Sequence, residues 1–416
     1  MSAAVPTVPL RIVVLCPHFD PDTAPTGRVM TRIVHELAAR GHELHVVASL
    51  PWYRTHSIEP GWAGRWGRTQ RGEFGSVTRI HPFPGCDRRN LLRRALGFGA
   101  FSALAGVAGI RAGGWFRGAD AVLAMSPPLT LGLTGWLVGL THRAPLVFNI
   151  QDVFPDAAVE TGAITDRRII RVASWLERVS YHRAAAVTVL SDDLADNVRS
   201  KMSPRRRNDV HVIPNFVDTE QLQPADRMTP YRSELGIGPE PVVLYAGNVG
   251  FSQSLELVLA AARELPDVTF VINGEGAARP SLERDAEEIT NVRFGSFQPS
   301  ERLNEVLATG DVHVVPLRTG LGRVSVPSKT YSILAAGRPV VAAIDPGTEV
   351  PRMLAASGGG IAVAPDDAPA FVAALRTVLE RRDVGAAMGA AGRTWVESAA
   401  SPAAVGAAYE ALIART

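Results

Sequence analysis

The chain has 416 residues, a formal net charge of +2 and two cysteines, a length that exceeds one ordinary core and predicts two domains of about 200 residues each. Composition is that of a globular protein without a low-complexity linker, and Cys16 in a predicted strand with Cys86 in a loop argues against a disulfide framework or a thiolate metal site. Charge is uneven: residues 1–220 carry 26 Lys+Arg against 19 Asp+Glu and residues 221–416 carry 17 against 22, so the first half is basic and the second acidic.

The first ten residues lack the charged start and continuous apolar run of a signal peptide, and a strand follows at once, so a cytoplasmic protein is expected. Leu10–Cys16 is a short β-rich apolar run. A Pro/Asp/Gly loop, an amphipathic helix around Arg28–Arg40, Gly41 and a strand at Leu44–Ala48 complete a βαβ unit. Residues 95–110 run apolar for only 16 positions, short of the roughly 20 needed to cross a bilayer. Flanked by Arg88, Arg89, Arg93 and Arg94, they read either as a segment lying on an anionic membrane surface or as a buried helix. Further strands are expected near Ala121–Ala124, Pro145–Ile150, Ala186–Leu190 and Val210–Ile213. Pro224, Pro230, Gly236, Gly238, Pro239 and Pro241 then place a boundary within Asp218–Glu240.

The second half repeats the alternation, with strands at Val242–Ala246, Thr269–Ile272, Val292–Phe294, Val312–Val315, Val340–Ala343 and Gly360–Val363, and an Ala-rich helix over Pro402–Ala414. Near-continuous apolar strands alternating with helices imply parallel sheets covered on both faces. The expected fold is therefore α/β: two doubly wound, Rossmann-like domains facing across a cleft. Residues 1–220 form the first domain and 221–399 the second, with 400–416 placed to pack back on the first. The ligand site belongs at the carboxyl ends of the strands.

Only two of the 43 basic residues are lysines, and one of them, Lys329, sits at a predicted helix start in Pro327-Ser328-Lys329-Thr330. Free backbone amides and a compact ammonium there suit a phosphate, the alternative being a chance lysine at an exposed helix end. Three strand-to-helix turns are glycine-rich: Gly247 to Gln253, Asn273 to Gly276, and Leu317 to Lys329 with Arg323. Glycines also end strands for steric reasons, but three such turns on one sheet edge are the pattern of a nucleotide-diphosphate site.

In the first half, the loop from Pro17 to Arg28 offers His18, Gly27 and Arg28 to an acceptor, while its Asp20 and Asp22 either serve the site or only solvate and cap. After a later strand, Asp152 of Gln151-Asp152-Val153-Phe154 is placed to orient a hydroxyl or to cap the next helix. No His/Cys/Asp cluster has metal-ligand spacing, so no metal or other cofactor is expected. Neither a Gly-x-Ser-x-Gly elbow nor a P-loop occurs, and the Arg205–Arg207 run without interleaved aromatics gives no nucleic-acid signature.

These residues together resemble the retaining GT-B glycosyltransferases of bacterial polysaccharide synthesis (glycosyl transferases group 1, family four type), in particular the colanic-acid and O-antigen branch. The resemblance runs the length of the chain, through Gly27-Arg28, Gly41-His42-Glu43-Leu44, Met125-Ser-Pro-Pro128, Gln151 to Pro155, Val189-Leu-Ser191, Val212-Ile-Pro-Asn215 to Asp218, Gly247 to Gln253, Gly274-Glu-Gly276, Pro327 to Thr330, Ala335-Ala-Gly337 and Asp345 to Glu349. The wider group places an Arg and a Lys where this chain has Asn248 and Gln253, and two glutamates where it has Val324 and Ser332.

The resemblance implies a metal-independent glycosyltransferase, hexosyl or N-acetylhexosaminyl, that uses a nucleotide-sugar donor, UDP-linked, and a lipid-linked or glycan acceptor. Lys329, Arg323 and Asp152 would be catalytic. Gly247, Asn248, Gln253, Gly274, Gly276, Ser296, Phe297, Ser325, Pro327, Ser328, Thr330, Ser332 and Glu349 would hold the donor. His18, Gly27, Arg28 and Phe154 would meet the acceptor. No nucleic acid partner is implied, and contact with the inner face of the plasma membrane is. A sugar-nucleotide epimerase would convert donor without acceptor, and a non-catalytic membrane-associated scaffold would bind no nucleotide.

Overall fold

The computed structural model describes residues 8–54, 57–83, 91–114, 118–156, 166–322 and 327–416, with side chains in the third segment from residue 96 onward. It separates into two compact units: Met1–Asn215 with Val405–Thr416, and Phe216–Ala404.

The first unit runs β1 (Arg11–Leu15), α1 (Pro25–Ala39), β2 (Glu43–Ser49), β3 (Gly67–Gly72), β4 (Gly75–Ile80), α2 (Leu91–Arg111), β5 (Ala121–Ser126), α3 (Thr130–His142), β6 (Leu146–Ile150), α4 (Arg167–Arg183), β7 (Ala186–Val189), α5 (Asp192–Lys201) and β8 (Val210–Val212). Its eight strands lie in the order β3-β4-β2-β1-β5-β6-β7-β8. All pairings are parallel except that of β3 with β4. Every residue of β5 and β6 is buried, which is why these strands read as unbroken apolar runs: helices cover both faces of a parallel sheet.

The β3–β4 hairpin is absent from the sequence expectation. Every residue of β3 is exposed, so the strand carries Arg68, Thr69, Gln70 and Arg71 rather than an apolar pattern, the usual protection of an open sheet edge.

The second unit runs α6 (Pro230–Glu234), β9 (Val242–Ala246), α7 (Glu256–Glu264), β10 (Thr269–Asn273), α8 (Arg279–Asp285), β11 (Val292–Gly295), α9 (Leu303–Thr309), β12 (Val312–Pro316), α10 (Lys329–Ala335), β13 (Val340–Ala343), α11 (Glu349–Ser357), β14 (Gly360–Val363), α12 (Ala368–Glu380), α13 (Arg382–Ala399) and α14 (Pro402–Ile413). Its sheet is wholly parallel, in the order β11-β10-β9-β12-β13-β14. Strand order therefore reverses between β9 and β12 here, and between β1 and β5 in the first unit. Loops leaving neighbouring strands at such a switch point diverge and open a crevice at the carboxyl edge.

The last turns of α14 belong to the first unit. Asn149 donates to the hydroxyl of Tyr409 at 2.6 Å, and His42 meets Glu410 at 3.1 Å. Tyr409 is buried, and burial pushes its hydroxyl up to about 12. Among the described residues no helix is long and apolar enough to cross a membrane.

Candidate functional site

In the second unit, the loops after β9 and β12 are fastened together at the switch point. Arg318 donates to the carbonyl of Phe251 at 2.6 Å and pairs with Glu256 at 2.7 Å. Asp366 accepts from Ser254 at 2.8 Å and from Thr319 at 2.9 Å, and these bonds hold its carboxyl below the usual carboxylate range. Asp345, just beyond β13, accepts the backbone N–H of Gly320 at 2.9 Å and of Gly322 at 2.9 Å. Asp345, Asp366 and Arg318 thus shape the turn that leads to α10, and none was a candidate. Arg318 and Asp345 lie in stretches the sequence marks, but the partners of all three are distant in sequence, so their bracing roles have no local signature.

Lys329 opens α10 and points back toward β9. Its ammonium lies 3.9 Å from the centroid of the Tyr245 ring, and a Cβ built on Gly247 would meet its Nζ at 3.4 Å. No carboxylate among the described residues pairs with it, and burial pulls its pKa from 10.5 down to about 7. The reading as a chance lysine at an exposed helix end is therefore set aside. That shift corresponds to roughly 5 kcal/mol against the charged form. A desolvated cation–π contact returns only about 2 kcal/mol. The balance favours an incoming anion. Next to it, the hydroxyl of Thr330 is buried with no hydrogen-bond partner among the described residues. The Thr330 amide is taken, however: it donates to Pro327 O at 3.0 Å, which removes it from the free amides expected of this helix start. Pro327 and Ser332 are partly buried, and Ser328 is exposed.

The glycines prove mostly to be demanded by packing. A Cβ on Gly274 would lie 1.8 Å from the carbonyl oxygen of Gly247, and one on Gly276 would lie 2.2 Å from that of Val249. Both let loop pack closely on loop. Gly247, at φ +150°, is the one facing Lys329. Gln253 accepts the Gly250 N–H through Oε1 at 3.0 Å, so its carbonyl end braces its own loop. Asn248, Ser296 and Phe297 are exposed at the carboxyl ends of β9 and β11. Glu349 starts α11 beyond β13, where Arg352 bonds it at 3.2 Å. Arg323 and Ser325 lie outside the described residues.

In the first unit, a cavity of about 530 Å³ opens at the switch point, lined by loops that follow β1, β2, β4, β5 and β6. Its walls are prolines and aromatic rings, including Trp52, Tyr53 and Phe83, and its polar groups include His18 and Asp152. His18 is held tightly. Its Nδ1 lies 2.7 Å from the Oδ2 of Asp22, and its ring stacks on Trp52 at 5.6 Å and meets Tyr53 edge-on at 5.5 Å. Asp22 is 3% exposed and also accepts the Tyr53 N–H at 3.2 Å. Asp22 therefore orients His18 and does more than solvate a loop.

Gly27 is buried in α1, where a Cβ would lie 2.8 Å from that of His18, so it seats the helix closely on this loop. Buried Arg79 on β4 donates to the carbonyls of Phe19 and Asp20, a second brace with no local signature. Arg28 is exposed and Phe154 is partly buried against the core. Asp152 keeps an exposed surface, and partial loss of water raises its carboxyl above the ordinary value. Its neighbour Asp156 is engaged elsewhere, with Lys201 at 2.8 Å. Among the described residues, no three His, Cys, Asp or Glu side chains gather as metal ligands.

Two family models match the chain, a glycosyl transferase 4-like domain over residues 26–215 and glycosyl transferases group 1 over residues 240–381. WcaI of Escherichia coli strain K12, which carries a colanic acid biosynthesis glycosyl transferase name, is 26% identical over 382 residues, spanning 89% of this chain and 92% of that one. Among solved structures, sucrose-phosphate synthase from Thermosynechococcus elongatus superposes with a TM-score of 0.69 at 18% identity, covering 98% of this chain and 100% of the other. HepE of Anabaena, solved with UDP and glucose, gives 0.65 at 14% identity, covering 98% and 100%.

Proposed function

Since the chain is a GT-B glycosyltransferase with colanic-acid-related kin, we propose that it moves a sugar, with retention and without a metal, from a nucleotide diphosphate to an acceptor of bacterial cell-surface polysaccharide synthesis. The observation that carries this is Lys329, a packed ammonium with no carboxylate partner among the described residues, set at the switch point of the second unit. There a diphosphate would restore the charge that burial removes. As the bond to the sugar breaks, negative charge grows on that diphosphate, and a fixed cation stabilises it more than it does the ground state.

In this reading Thr330 Oγ1 donates to the same phosphates, Arg323 adds charge, and Ser296 and Phe297 lie toward the base. Glu349 and Ser332 stand toward the ribose, a role weakened for Glu349 by its bond to Arg352. UDP is the favoured nucleotide, supported by the fold shared with HepE, which was solved with it. The aromatic cavity of the first unit takes the acceptor, a lipid-linked or other glycan. His18, oriented by Asp22, and Asp152 hold the reacting hydroxyl, while the leaving phosphate takes its proton. The enzyme works in the cytoplasm against an anionic membrane surface.

The test is UDP release from a UDP-sugar in the presence of acceptor, with and without EDTA, and the anomeric configuration of the product by nuclear magnetic resonance. Lys329→Ala should lower turnover about a hundredfold or more, the scale of losing one charge-stabilising donor. Wild-type turnover in a folded Lys329→Ala protein would refute the phosphate assignment, and an inverted product would refute retention.

A further inference from the structure

Helices α2, α3 and α4 pack side by side in the first unit. Their outer surface is unusual for a water-exposed face. On α4, Val172 is 64% and Trp175 60% exposed, and Ile169 is 43% exposed. The adjoining helices add Leu137 and Leu140 from α3 and Val107 from α2, between 49% and 57% exposed. Isolated apolar residues are ordinary on a surface, but neighbouring helices that all present them mark a contact site.

The charge on this layer has one sign. Arg167, Arg168, Arg171 and Arg178 are exposed on α4 among the apolar residues. The only carboxylate in the sequences of the three helices is Glu177, which is 1% exposed and bonded by Lys201 at 2.7 Å. A protein partner's interface also enriches Arg and Trp, so it is the single sign of charge, with the one carboxylate of the three helices buried, that points to a continuous sheet of anionic headgroups. Cations interleaved with Trp and branched aliphatics match the boundary of a bilayer, where rings sit at headgroup depth and guanidinium groups meet lipid phosphates.

We propose that the outer face of α2, α3 and α4 is the surface on which this enzyme lies against anionic lipid, with Trp175 and Val172 inserting and Arg168, Arg171 and Arg178 meeting headgroups. This deepens, and rests on, the reading of a membrane-borne acceptor. It extends the contact beyond the apolar segment of residues 95–110, whose Val107 joins the face while Phe101 and Ala105 are buried in the core, and assigns its charge to α4.

Flotation of the full-length protein with vesicles tests it. Phosphatidylcholine vesicles containing anionic phosphatidylglycerol should bind the protein about a hundredfold better than phosphatidylcholine alone, the combined effect of about fivefold for each of three arginines, with the gain shrinking in high salt. R168Q/R171Q/R178Q should lose about fivefold per arginine. W175S/V172S should weaken binding at every salt concentration. Calorimetric UDP binding and turnover with a soluble acceptor should stay at wild-type values in both variants.

Equal binding to both vesicle types, no binding to either, or variants that bind as wild type would overturn the proposal and leave the transferase reading standing. Failure of UDP binding in all proteins would instead strike the donor assignment. A self-association that W175S abolishes, seen by sedimentation velocity, would make the face a protein interface and likewise overturn it.

Discussion

The two lysines of this chain occupy opposite environments. Lys201, at the end of α5, sits between the carboxylates of Asp156 at 2.8 Å and Glu177 at 2.7 Å. Burial pushes both acids upward; the bonds from Lys201 and Asn197 outweigh it at Asp156, while Glu177 stays above its ordinary value. The Tyr181 hydroxyl completes the group, donating to Glu177 at 3.0 Å. Lys329 has an aromatic ring where Lys201 has two acids. One ammonium is consumed inside the fold. The other has no carboxylate partner among the described residues, and the fold carries the cost of burying it.

Exchanging each lysine for methionine separates these roles. Lys329→Met should remove at least about 3 kcal/mol of transition-state stabilisation while raising the ligand-free stability by about 2 kcal/mol. The second figure lies below the full pKa shift because the residue is not wholly enclosed. Lys201→Met should do the reverse. It strands the buried Glu177 charge and should cost about 3 kcal/mol in urea unfolding, with turnover per folded molecule unchanged. If Lys329→Met lost stability and Lys201→Met lost only activity, the contrast between the two sites would be inverted.

A smaller effect comes with pH. The folded-state pKa of Lys329 lies near 7, below its ordinary 10.5, so the unfolded chain binds the extra proton between those values. The penalty is fully present below pH 7 and is relieved as pH rises toward 10.5, so Lys329 contributes a stability that climbs with pH in this window. Lys329→Met should flatten that part of the stability profile. Affinity for a nucleotide sugar, whose diphosphate stays ionised, should fall as pH rises above 7 because the free site must first take up a proton. Titration calorimetry in buffers of different ionisation enthalpy reads that uptake directly. Affinity independent of pH between 6.5 and 8.5 would place the diphosphate elsewhere.

The mildest change should be Asp345→Ala. It frees the Gly320 and Gly322 amides, and losing such charge-assisted bonds should cost about 2 kcal/mol. Because this turn leads into Lys329, KM for the donor should rise several-fold with kcat little changed. An unchanged KM would show that the turn does not position the lysine.

The two sites also differ in how far sequence reveals them. At the first unit's switch point, His18 and Asp152 were legible from their place after predicted strands, because a residue just beyond a parallel strand must stand at the carboxyl edge. Asp22 and Arg79 were not, since the bond from Asp22 to His18 and the grip of Arg79 on the β1 loop depend on side chains meeting after folding. At the second switch point Lys329 stood out by the rarity of lysine. The glycines around it are ambiguous in sequence, because a Cβ at Gly274 or Gly276 collides with neighbouring backbone, and a steric need looks the same in sequence as a ligand's.

Apart from the β3–β4 hairpin, whose exposed edge strand carries no apolar pattern, the order of strands, the two-unit α/β architecture and the position of each loop at a strand end were present in the apolar periodicity, which is local and survives without tertiary context. Which charges remain available to a ligand was settled only by folding. Asp366 meets Ser254 across 112 positions and Asp345 meets Gly320 across 25. A charge is neutralised by whatever lies within a few ångströms of it, and in a doubly wound fold those neighbours come from different strand ends that no sequence window brings together.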